Sequence, residues 1–191
     1  MTGFVRHRRS QRIHATFAGF EADLLRSLAG QLVELLRNEE AEPGGTDPLE
    51  AMLDFSGPTT APEDPVLARL FPTAYHDDEE AAADFRRFTE STLRDGKARA
   101  AVVVIDTLEE AGLPPDGPGD DITIDVELDH DAARTWLRSF NDLRLALGTR
   151  LEVEEGDEDY WASLPEDDPR GQMHHVYDWL GYLQETLVRA L

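Results

Sequence analysis

Between Ile13 and Phe17 apolar and polar side chains alternate, with Ile13, Ala15 and Phe17 on one face and His14 and Thr16 on the other. A period of two predicts a half-buried strand, and Phe4 to Arg8 is placed to be its hairpin partner across Arg9-Ser-Gln. From Glu21 the period lengthens. Leu24, Leu25, Leu28, Leu32, Leu35 and Leu36 make a stripe that predicts a helix to about Glu40. The stretch from Ala41 to Pro65 is punctuated by Pro43-Gly-Gly, Pro48, Gly57-Pro and Pro62, so it reads as a loop carrying at most a short helix over Leu49–Phe55. Asp64-Pro65 then supplies an N-cap and a first helical residue for a short helix through Val66, Leu67 and Leu70, which Pro72 ends.

The carboxylates of Asp77 to Glu80 suit the positive end of a helix dipole, and Phe85, Phe88 and Thr92 continue one face. Asp95-Gly96 interrupts this pattern before Val102, Ile105 and Leu108 resume it as far as Gly112. Either one long helix kinked near Gly96 or two abutting helices is expected. After a Pro/Gly turn cluster, Ile122, Ile124, Val126 and Leu128 alternate with Thr123, Asp125 and Glu127, a second strand. Asp129 or Asp131 caps the next helix, whose stripe is Trp136, Phe140, Leu143, Leu147 and Leu151. Glu152 to Asp168 holds nine carboxylates and no basic residue, which predicts an extended, mobile acidic loop over about 152–171. A last helix, about Gln172 to Ala190, buries Val176, Leu180, Leu183 and Leu187. The fold class expected is mainly α: a single-domain helical bundle over 1–191 with a small antiparallel β element, formed by the N-terminal hairpin and the strand near 122–128.

Apolar residues make up 40% of the chain, and no apolar run approaches the ~20 residues that a membrane span requires. The N-terminus lacks the apolar stretch and cleavage site of a secretory signal, so a cytoplasmic location without membrane contact is expected. With no cysteine, the chain has no disulfide, no thiolate metal site and no thiol to oxidise. Forty acidic against eighteen basic residues give a net charge of −22, which disfavours non-specific nucleic-acid binding except where positive charge gathers locally. It gathers once, in Arg6, Arg8, Arg9 and Arg12, all before the first acidic residue, Glu21. These arginines suit phosphates or an acidic partner. The simpler reading pairs Arg12 and His14 with Asp125 and Glu127 across the sheet, a contribution of a few tenths to about 1 kcal/mol per pair.

Catalytic motifs give no signal. The chain has no Gly-x-Ser-x-Gly elbow, no phosphate loop, no dinucleotide turn and no His-Glu-x-x-His pattern. His76 precedes what read as capping carboxylates, and the adjacent His174 and His175 point about 100° apart on a helix, so no metal and no cofactor are predicted. The informative stretch is Trp136 to Leu151. Asn141, Arg144 and Gly148 form a polar row at i, i+3 and i+7, in which Arg144 reaches either a ligand or an acid of the last helix. A glycine inside a helix costs about 1 kcal/mol relative to alanine, which predicts a close neighbour at Gly148 and, by the same logic, at Gly181. Trp179 and Tyr182 flank Gly181 and suit either the core or a protein interface. The candidate contact residues are therefore Arg6, Arg8, Arg9, Arg12, Asn141, Arg144, Arg150, Trp179 and Tyr182.

Four of these stretches carry a resemblance: Asp64-Pro-Val-Leu-Ala-Arg-Leu-Phe-Pro, Phe85-Arg-Arg-Phe-Thr-Glu, Trp136 to Leu151 with its Asn-Asp-Leu-Arg-Leu-x-Leu-Gly-Thr-Arg block, and Tyr177-Asp-Trp-Leu to Leu191. From about Phe4 to Leu191 the chain resembles an actinobacterial family first catalogued as a domain of unknown function, which includes the oxidative-stress transcriptional regulator AosR. The resemblance implies a non-enzymatic regulator that, in its characterised form, works through a reactive cysteine pair. Lacking cysteine, this chain cannot switch by disulfide formation. The expected partner is a protein of the transcription or stress machinery, with direct DNA contact as a variant disfavoured by net charge and a homodimer compatible with either. The alternative, drawn from the family's genomic neighbourhood, is an adaptor or scaffold linked to Clp proteolysis.

Overall fold

The computed structural model describes residues 3–38, 58–117 and 122–191. Three strands and six helices are seen among them, in the order β1 (Val5–Arg6), β2 (Ile13–Ala18), α1 (Gly19–Asn38), α2 (Pro65–Leu70), α3 (Glu79–Glu110), β3 (Thr123–Leu128), α4 (His130–Leu151), α5 (Glu158–Ala162) and α6 (Pro169–Ala190). The short helix considered over Leu49–Phe55 lies outside the described residues.

The sheet follows from the alternation. Its order is β1-β2-β3 with both pairings antiparallel, and Ile13 stands opposite Leu128, Ala15 opposite Val126 and Phe17 opposite Ile124. All six of these side chains are buried, so the register of β2 and β3 places them together on one face. The other face pairs His14 with Glu127 and Thr16 with Asp125, whose carboxylate accepts a hydrogen bond from the Thr16 hydroxyl at 2.6 Å.

Helix ends obey their capping residues. Asp64 accepts from the backbone N–H groups of Val66 and Leu67 with Pro65 at the first turn, Asp129 accepts from Asp131 and Ala132, and Asp168 accepts from Arg170. The bond from Ala132, above all, holds the Asp129 carboxyl below its ordinary pKa, and the guanidinium of Arg12 adds to this. A depressed carboxylate stabilises the fold above its ordinary titration range, and that contribution is lost as pH falls through the lowered value.

Helix α4 is central. It packs against α1, α2, α3, α6 and β3, and its Trp136 and Phe140 are fully buried. Around it, Leu25 and Leu36 of α1, Leu67 of α2, Val104 and Leu108 of α3, and Leu180, Leu183 and Leu187 of α6 complete one apolar core. Phe4, just before β1, meets Phe17, Trp136 and Phe140 with ring centroids 5.8–6.0 Å apart and so fastens the hairpin to the helices.

Of the two arrangements expected around Asp95-Gly96, one long helix is the one found: α3 continues for 32 residues, because one glycine costs only about 1 kcal/mol in a long run of helix formers with a packed face. Two expectations are revised. The face marked by Phe85, Phe88 and Thr92 is the outward one, and Arg86, Glu90 and Arg94 face inward. The acidic stretch over 152–171 is folded rather than extended. Trp161 of α5 is buried and stacks on His174 of α6 at 4.3 Å, while the backbone N–H of Glu154 donates to the Asp157 carboxylate at 2.9 Å. One large apolar anchor, with its neighbouring carboxylates turned to solvent, outweighs their mutual repulsion. Helix α6 consequently begins at Pro169, three residues earlier than expected.

Candidate functional site

The N-terminal hairpin divides its cations into two groups. Arg12 lies 3.6 Å from Glu127 and 3.5 Å from Asp129, and His14 lies 3.4 Å from Glu127, so this side of the turn is balanced by the neighbouring strand. Arg6 donates to the carbonyl of Leu191 at 3.3 Å, tying β1 to the end of α6. Arg8 and Arg9 sit on the turn itself, exposed, and meet no carboxylate among the described residues. Together with Val5, Arg6, His7 and His14 they surround a shallow surface pocket of about 490 Å³.

The polar row on α4 is split between two neighbours. Arg144 turns into the seam with α6, where it donates to Gln184 Oε1 at 2.8 Å and to the Tyr177 hydroxyl at 3.3 Å, its guanidinium carbon 4.9 Å from the Tyr177 ring centre. Both hydrogen-bond partners are neutral. The acidic partner anticipated on α6 is thus replaced by a stacked aromatic face and an amide, which a planar guanidinium accepts. The glycines explain the close approach: a Cβ on Gly148 would lie 3.1 Å from Tyr177 Cε2, and one on Gly181 would lie 3.4 Å from Arg144 Nε. Gly148→Ile is therefore expected to destabilise the chain by about 1–3 kcal/mol through overpacking, with Gly148→Ala much milder because its helix propensity offsets the contact. Thermal unfolding of the two variants checks this.

Arg150, at the end of α4, reaches Asp64 at 3.4 Å and links that helix to the start of α2. Trp179 is buried at 9% exposure and belongs to the core, the first of the two roles expected for it. Tyr182 remains 38% exposed.

Asn141 turns the other way and borders a groove of about 560 Å³ where α3, α4 and α6 meet. On its lining Lys97 Nζ contacts Asp142 Oδ1 at 2.6 Å, an ion pair whose carboxylate is almost wholly buried.

The sequence reading missed a second buried charge cluster. Glu90 is held between Arg86 and Arg94, Arg86 donates to the carbonyl of Phe71 at 3.1 Å, and Arg94 donates to that of Leu36 at 3.4 Å while lying 4.8 Å from the Phe71 ring centre. The i, i+4, i+8 order of Arg, Glu and Arg was the available signal. Neither cluster holds the three His, Asp or Glu side chains that a metal would need, and no such group is found among the described residues.

A family model covers residues 1–191 and is described as a domain of unknown function, DUF2017. The chain belongs to the DUF2017 family. The oxidative stress regulators AosR of Mycobacterium bovis (strain ATCC BAA-935 / AF2122/97) and Mycobacterium tuberculosis (strain ATCC 25618 / H37Rv) are each 34% identical to it over 202 residues, covering 98% of this chain and 85% of the relative. A Mycobacterium leprae (strain TN) counterpart is 36% identical over 194 residues, covering 94% of this chain and 82% of its own length. No solved structure matches this DUF2017 chain. None of the described helices is long and apolar enough to cross a membrane.

Proposed function

We propose that this DUF2017 chain is a non-enzymatic regulator of the oxidative-stress response that acts by binding a protein of the transcription or stress machinery. The observation that carries the reading is similarity along at least 94% of the chain to relatives named as oxidative stress regulators. Protein contact is preferred to DNA contact on charge grounds. Of the four hairpin arginines Arg12 is matched by Glu127 and Asp129, leaving few open cations on a chain of net charge −22. Because the chain has no cysteine, its signal does not pass through a thiol of its own.

Deleting the gene and comparing transcripts before and after peroxide tests the reading. The expected result is a lost or blunted set of oxidant-responsive transcripts, restored by the wild-type chain, together with no retardation of promoter DNA by the purified protein even at low salt. An unchanged transcript profile sinks the regulator reading. Tight, salt-sensitive DNA retardation that disappears on replacing Arg8 and Arg9 moves the contact from protein to DNA.

A further inference from the structure

The groove between α3, α4 and α6 has an unusual charge for this molecule. Its walls are Leu93 and Ala100 from α3, Leu137 from α4 and Val188 from α6, with Leu93 at 48% and Val188 at 54% exposure. The one carboxylate on the lining, Asp142, is neutralised by Lys97. Arg138 stands exposed on the α4 wall and meets no carboxylate among the described residues. A groove with apolar walls, the neutral polar side chains of Thr92, Asn141 and Gln184, one open cation and no open anion is thus set into a chain of net charge −22.

We infer that this groove seats a helix of the partner protein, presenting an apolar seam and one carboxylate that pairs with Arg138. The inference rests on the regulator reading above and adds to it a surface and the chemistry of what binds there. Complementarity decides the occupant. The side chains that touch Leu93, Leu137 and Val188 must be apolar, and the group beside Arg138 must be acidic for its desolvation to be compensated. The α3 wall from Thr92 to Ala100 rises about 12 Å, matching two turns of a docked helix read through i, i+3, i+4 and i+7 anchors. At Gly96 no atom lies within 4 Å of where a Cβ would stand, so that turn of α3 leaves room for a close approach. A second copy of this chain is the poorer occupant, since it brings a further −22 charges to the contact.

Site-specific photo-crosslinking in the native cell tests this. A benzophenone amino acid replaces Leu93 or Val188 in the full chain, and Phe20, 69% exposed on α1, serves as the control position. The expected result is an adduct from positions 93 and 188 but not 20. Its crosslinked peptide, sequenced by mass spectrometry, should lie in a segment with apolar residues at helical spacing and an Asp or Glu within one turn of the crosslink. Arg138→Glu should lower the yield at least about tenfold, and reversing the partner's acid to Lys should restore it. Absence of an adduct, an adduct to a second copy, a peptide without that pattern, or an unchanged yield in Arg138→Glu each overturns the inference. The transcript experiment separates the two levels. Complementation by Arg138→Glu as complete as wild type removes the groove from regulation and leaves the regulator reading intact, whereas failure of the wild-type chain to complement removes the regulator reading itself.

Discussion

Glu90→Ala is expected to destabilise the fold by about 3–5 kcal/mol, because it leaves two guanidinium groups buried without their shared counter-ion. Arg86, Glu90 and Arg94 are 7%, 2% and 6% exposed, so water cannot screen the pair that remains. Their hydrogen bonds also hold the carbonyls of Leu36 and Phe71, the last turn of α1 and the residue that closes α2. Loss of Glu90 therefore loosens both helices from α3 at once. Glu90→Gln keeps the shape and one acceptor while removing the charge, and should fall between wild type and Ala. Replacing all three residues with Met, Leu and Met should be far milder than Glu90→Ala, since it removes the desolvation penalty along with the attraction. Urea denaturation of the four proteins supplies the measurement. A Glu90→Ala loss below about 1 kcal/mol would show that the cluster is solvated and carries little of the packing.

The same cluster marks where sequence reasoning stops. Strands β2 and β3 were readable because their alternation has one buried face, and the caps Asp64 and Asp129 because each combines a local acceptor with a helix start. On α3 the rule that apolar residues face inward inverts: Phe85 and Phe88 are 43% and 59% exposed while Arg86, Glu90 and Arg94 are inside. Apolar periodicity cannot reveal a face whose buried members are charged and satisfied by one another. The acidic stretch misled for a related reason, since counting carboxylates over 152–168 gives no weight to Trp161, whose contact with His174 docks α5 on α6. At the candidate site, Gly148 and Gly181 correctly announced a close seam. Which side of α4 each polar residue joined was not legible: Arg144 found Tyr177 and Gln184 on α6, Asn141 the groove beside α3, and only the tertiary arrangement separates them.

Trp136→Ala carries the other large expected effect, again about 3–5 kcal/mol, through a different mechanism. The indole is fully buried, edge-on to Phe140 at 5.7 Å and Phe4 at 5.8 Å and stacked on Phe17 at 6.3 Å. Truncation removes its transfer free energy and leaves a cavity that cannot collapse, because the walls belong to the rigid sheet on one side and to α4 itself on the other. Its hydrogen bond to the Thr107 hydroxyl, at 3.5 Å, is long and adds little. Trp136→Phe should therefore recover most of the loss by refilling the ring contacts without the N–H. Phe4 is the neighbour through which the damage spreads, since it lies just before β1 and anchors the hairpin that carries Arg8 and Arg9. Phe4→Ala and Trp136→Ala should accordingly be non-additive by about 0.5–1.5 kcal/mol in a double-mutant cycle. Additive losses would place the hairpin outside the cooperative core, and Arg8 and Arg9 would then sit on an element that opens independently of the helices.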